Sequence, residues 1–136
     1  MTSLDIFRQL GTISRQAMLA MNKRASQFGL DNNLFLYLTR IVENEGLSQS
    51  ALANMLQIDK TTISRALRKL EDKGLIKKEL ASNNKKLKHL YPTEAALDIY
   101  NQLLTFEEDY TQRALLDLTP LEKMQLTQLL ARFKSF

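Results

Sequence analysis

Apolar residues recur every three or four positions near the start of the chain. Ile6, Leu10, Ile13, Ala17 and Met21 form one stripe and predict an amphipathic helix over residues 4–27. Gly11 interrupts it, at a cost of about 1 kcal/mol relative to Ala in an exposed helix. Gly29 supplies a stop. Leu34, Leu38 and Ile41 or Val42 predict a second helix over roughly 32–44, with Asp31 as its cap and Gly46 as its left-handed end. Two short helices follow. Ser48 caps one over 49–56, with Ala51, Leu52, Met55 and Leu56 inward and Ala53 small enough for close approach. Asp59 caps the other over 60–73, its carboxylate placed to accept from the amides of Thr61 or Thr62. Gly74 ends it, and Leu75 is placed for the hydrophobic contact of a helix C-terminal motif.

Residues 75–80 and 86–91 read as two strands around the polar turn 81–85, where Ser82, Asn83 and Asn84 have turn chemistry. Thr93 caps a long helix to about Leu116, with Leu97, Tyr100, Leu104 and Tyr110 near one face. Thr119 and Pro120 start a final helix to about Lys134, Pro standing where its missing N–H costs nothing. Leu126, Leu129, Leu130 and Phe133 are its apolar positions. The expected fold is mainly α with a small β-hairpin. Two short helices across a tight turn, then a hairpin, make a winged helix-turn-helix.

In the second short helix Ile63, Ala66, Leu67 and Leu70 share one face, leaving Lys60, Thr61, Thr62, Ser64, Arg65, Arg68 and Lys69 outward. That outer face suits duplex DNA. Arg65, in the second turn of the helix, has the fork for guanine O6 and N7, worth about 1–3 kcal/mol of discrimination. Thr and Ser hydroxyls meet bases or phosphates, and Arg68 and Lys69 are placed for phosphates. Ser48 and Gln49, opening the preceding helix, are further candidate contacts. At the hairpin tip Asn83, Asn84, Lys85 and Lys86 form either a wing lying along a minor groove or a solvated turn.

Charge sharpens this picture. Residues 59–92 hold ten Lys or Arg against four acids, a net of +6, while the whole chain of 136 residues carries +4. A local basic field favours a polyanionic partner. There is no Cys and one His, His89, so no cysteine nucleophile, disulfide, Cys-based zinc site or single-chain His cluster can form. Catalysis and cofactors are not expected. His89 reads as a packing residue or a phosphate contact. Glu107, Glu108 and Asp109 point to different sides of a helix and read as a solvated face. No apolar run nears the roughly 20 residues that span a membrane. The start MTSLDIFRQLG lacks the basic residues and apolar stretch of a secretory signal, so the expected location is the cytoplasm.

Residues 48–96 resemble the core of the MarR family of bacterial transcriptional regulators. The Leu52–Ala53 pair, Thr62 to Arg65, Leu70 to Ile76, and Thr93 after the hairpin carry the likeness. Two departures stand out. Asn84, Lys85 and Lys86 replace the family's Asp-Arg-Arg in the wing, so the Asp–Arg ion pair cannot form and the wing contributes charge more than shape reading. Ala95 and Ala96 stand where the family has a Gly.

The resemblance implies a homodimer. Residues 30–92 would form the DNA-binding lobe, and 1–29 with 93–136 the intertwined helical dimerisation region. Two recognition helices would then meet a roughly palindromic operator in double-stranded DNA. It also implies a ligand-responsive repressor, nucleoid-associated when DNA-bound, with a small-molecule effector. Met18 or Met21 would line the effector's pocket; Met55 and Met124 read as core residues. The competing class is a winged-helix module for protein–protein contact without DNA binding, which would show apolar anchors on the outer helix face.

Overall fold

A computed structural model describes residues 2–81 and 84–136. Six helices and one hairpin follow in the order α1 (Ser3–Ala25), α2 (Leu34–Glu43), α3 (Gln49–Leu56), α4 (Lys60–Asp72), β1 (Ile76–Ala81), β2 (Asn84–Pro92), α5 (Glu94–Ala114) and α6 (Pro120–Leu130). A single 3-10 turn, Ser26–Phe28, closes α1, and Gly29 is left-handed as its stop.

The core is built by α2, α4 and the elements around them. Leu38, Ile41, Leu52, Ile63, Leu67, Leu70, Leu90 and Leu103 are fully buried. From α1 Met21 and Ala25 are buried in this core and Met18 packs against it, while α6 adds no buried residue. The N-terminal half of α1 therefore leaves its apolar stripe open: Ile6 and Ile13 are exposed. So are Leu126, Leu129, Leu130 and Phe133 near the C-terminus, where the Phe7 and Phe133 rings meet edge to face at 5.6 Å.

Several local readings need correction. Asp31 does not cap α2. Asn33 does so from a left-handed backbone without a side-chain cap bond. Its conformation is held by Asn22 of α1, whose Oδ1 accepts from the Asn33 N–H at 2.9 Å and whose Nδ2 donates to Asn33 Oδ1 at 2.8 Å. In α3 Leu52 is buried, but Ala51 and Met55 face outward. Met124 is exposed as well. In α5 the buried residues are Ala96 and Leu103, with Ile99 and Phe106 packed against the core, whereas Leu97 is exposed. The helix carries two apolar stripes, and α1 and α2 together cover the one that periodicity did not single out. Helix α6 ends at Leu130, because the chain turns there and brings Phe133 onto Phe7.

The hairpin is antiparallel, with Ile76 opposite Pro92 and Glu79 opposite His89, and its register shifts between Leu80 and Ala81. Ala81, Asn84 and Lys85, expected in the turn, belong to the strands. A third short piece joins it: Ser48 bridges His89, the Gly46 N–H donates to Leu90 O and the Leu90 N–H to Leu47 O. Strand β2 is thereby paired on both sides, which ties the wing to the start of α3.

Candidate nucleic-acid interface

Helix α4 is built to stand proud of the core. Ile63, Ala66, Leu67 and Leu70 are buried, while Lys60, Thr61, Thr62, Ser64, Arg65, Arg68 and Lys69 are all exposed. Asp59 opens the helix as its N-cap. Its Oδ1 accepts from the Thr62 N–H and its Oδ2 from the Thr62 hydroxyl, both at 2.8 Å. These bonds, the Thr62 N–H first, hold the Asp59 carboxyl below the ordinary carboxylate value. The Thr62 hydroxyl proton is thus committed to the cap. At the other end the Leu75 N–H donates to Leu70 O and the Gly74 N–H to Glu71 O, the paired bonds of a Schellman motif. Gly74 is left-handed and Leu75 is buried, so the chain leaves α4 at a fixed angle into β1.

The turn between α3 and α4 has the same economy. Gln57 takes a left-handed conformation (φ 54°) as the C-cap of α3, and the Ile58 N–H donates to Ala53 O. Ala53 is half-buried and packs against the core.

Lys60, Thr61, Ser64, Arg65 and Arg68 line a shallow depression of about 340 Å³ on the outer face. Beside it runs a groove of about 280 Å³ between the starts of α3 and α4 and strand β2, with Gln49, Ser64, Leu87 and Lys88 on its walls. Among the described residues the ion pairs are Arg40–Glu43, Lys78–Glu71 and Arg113–Asp109, so none neutralises the cations of α4. The face is a cationic surface with hydroxyls between its charges, suited to phosphates flanking a groove of acceptors.

Ser48 is occupied as the cap of α3, accepting from the Ala51 N–H at 3.1 Å. Gln49 does not point free: its Nε2 donates to Ser64 Oγ at 3.0 Å. Asn83 lies outside the described residues, whereas the backbone of Asn84, Lys85 and Lys86 runs in β2. His89 packs: its Nδ1 donates to Gly46 O at 2.8 Å, so that nitrogen carries the proton. Lys88 is a further cation that sequence reasoning did not single out. It is exposed on β2 beside the groove, and strand alternation with the basic surplus was the signal for it.

A second cavity, about 270 Å³, lies between α1, α2 and α5, with Met18, Met21, Thr39, Arg40 and Tyr110 among its lining. Between α1 and the C-terminal helix a wider apolar groove of about 690 Å³ is walled by Ile6, Leu10, Ile13, Leu126, Leu129, Leu130 and Phe133. Among the described residues no helix is long and apolar enough to cross a membrane.

The MarR family model matches residues 30–88. The chain is 39% identical over 130 residues to the Bacillus subtilis HTH-type transcriptional regulator YybA, itself described as uncharacterized; the match covers 96% of this chain and 87% of that one. Two solved structures from Listeria monocytogenes are each 38% identical. One, a MarR family transcriptional regulator complexed with 26mer DNA, superposes with a TM-score of 0.90 over 97% of this chain and 87% of its own. The other, a SlyA-like transcription regulator, gives 0.86 over 92% and 83%.

Proposed function

The chain belongs to the MarR family of transcriptional regulators, and on that premise we propose how its residues carry the function. It binds double-stranded DNA through α4, with Arg65 reading a base edge and Lys60, Arg68 and Lys69 meeting phosphates. Thr61, Thr62 and Ser64 supply short-range contacts from the same face. Lys85, Lys86 and Lys88 add charge from the wing. The observation that carries this reading is the uncompensated cationic face of α4, set on four buried apolar residues. A protein-docking helix would present apolar anchors there; this face presents none.

The active form is a homodimer on a pseudo-palindromic operator. Residues 30–92 form the reading lobe; 1–29 and 93–136 form the dimerisation region. The open groove between α1 and α6 supports this division, since its apolar walls lack a cover within one chain. The chain acts as a repressor in the cytoplasm and has no catalytic role. A small molecule seated in the cavity beside Met18 and Met21 lowers DNA affinity by preferring a dimer whose two reading helices are wrongly spaced.

The deciding experiment is a mobility shift on fragments of the gene's own upstream region at two salt concentrations. Salt-sensitive binding to one fragment that outcompetes random duplex is the expected result. Binding equal to random duplex across every fragment would overturn the sequence-specific reading.

A further inference from the structure

Given the DNA-binding reading, we propose that Gln49 is a positioning residue that sets Ser64 as a hydrogen-bond donor toward a base edge. Gln49 is the first residue of α3 and Ser64 lies on the exposed face of α4; the Gln49 Nε2 donates to Ser64 Oγ at 3.0 Å. Gln49 is held firmly from behind. Ser48 caps α3 through the Ala51 N–H and bridges His89, and Leu47 accepts from the Leu90 N–H. The direction of the amide follows from what it leaves unpaired. As placed, one buried acceptor, Gln49 Oε1, has no partner. Reversed, the amide would leave two N–H donors there, and orphaned buried donors are the rarer and costlier case.

Ser64 Oγ therefore accepts the amide, and its own proton goes elsewhere. Helical hydroxyls commonly donate back along their helix: Thr12, Thr105 and Thr127 do so to the carbonyl four residues earlier, at 3.0–3.1 Å. Ser64 makes no such bond among the described residues. Its proton is left for the outer face. An unconstrained serine donates or accepts and tolerates any base. One whose oxygen already takes an amide proton favours acceptor edges: guanine O6 or N7, adenine N7, thymine O4.

The test is selection from a duplex library with a randomised core, using the full chain and its Ser64→Ala, Gln49→Leu and Gln49→Glu variants. Wild type should enrich a base with an acceptor edge at one position per half-site. Ser64→Ala should flatten that position by roughly three- to tenfold, the worth of one hydrogen bond. Gln49→Leu should flatten the same position and no other. Gln49→Glu, whose carboxylate accepts the Ser64 proton, should turn a lone pair outward and move the preference toward the amino groups of adenine or cytosine. Unchanged preference in either Gln49 variant would overturn the proposal. So would equal flattening by both, which marks a packing role. Enrichment of no sequence by wild type would instead remove the sequence-specific reading on which it rests.

Discussion

The Tyr100 hydroxyl on α5 donates to a Glu43 carboxylate oxygen at the end of α2, across 2.7 Å and 57 residues of sequence. Glu43 also takes Arg40 at 3.3 Å. The pair fastens α5 to the end of α2. Burial, then the bond to Glu43, pushes the Tyr100 phenol up to about 12 from its ordinary 10.0. A raised folded value favours the protonated, folded form. The stabilisation is complete below about pH 10 and is lost as pH rises through about 12. Tyr100→Phe should lower the thermal midpoint at neutral pH and flatten its fall in this alkaline window. Parallel wild-type and variant curves throughout the window would remove the link.

On DNA, Arg65→Ala should cost about 1–3 kcal/mol on the operator and relax selectivity at one base position per half-site. Equal losses on operator and random duplex would exclude Arg65 as a base reader. Lys88→Ala should instead weaken binding to every sequence. It should also flatten the plot of log affinity against log salt by about one unit for each phosphate that is no longer neutralised.

The two left-handed corners that frame α4 predict opposite responses. Gly74 has φ +73°, and a methyl group there would meet nothing within 4 Å, so Gly74→Ala tests backbone strain alone and should cost about 1 kcal/mol. Gln57 holds φ 54° with a Cβ, so Gln57→Gly should be neutral or stabilising by up to about 1 kcal/mol. Chemical denaturation with matched m-values checks both. A drop in stability in Gln57→Gly would show that its side-chain bond to Asn54 O, at 2.7 Å, outweighs the strain.

Ile13 and Leu129 stand on opposite walls of the open apolar groove and are 61% and 53% exposed in one chain. Ile13→Glu or Leu129→Glu should convert a dimer to a folded monomer in sedimentation velocity and abolish operator binding. A wild-type monomer at micromolar concentration would end the homodimer proposal.

Helix α4 was legible in the sequence down to single residues. Ile63, Ala66, Leu67 and Leu70 repeat at helical spacing, Asp59 and Gly74 bracket them, and Leu75 completes the motif. Each signal acts between residues three to five apart, so it can be read along the chain. The outward set followed by subtraction, and with it the candidate DNA face.

What needed tertiary structure is what joins distant segments. Asn33 adopts a left-handed cap because Asn22 of another helix reaches it, so no local rule favoured it over Asp31. The strand-like pairing of Leu47 and Ser48 exists only because β2 passes beside it. Helix α5 carries two apolar stripes, and periodicity ranks neither; packing against α1 and α2 decides that Ala96 and Leu103 go inward. Gln49 and Ser64 are fifteen residues apart and each reads as a solvent-facing polar residue, yet the turn at Gln57 sets one against the other. Helical faces and caps depend on neighbours along the chain, and the sequence alone determined them. Partners across the fold depend on how those faces dock, which is a property of the packed core.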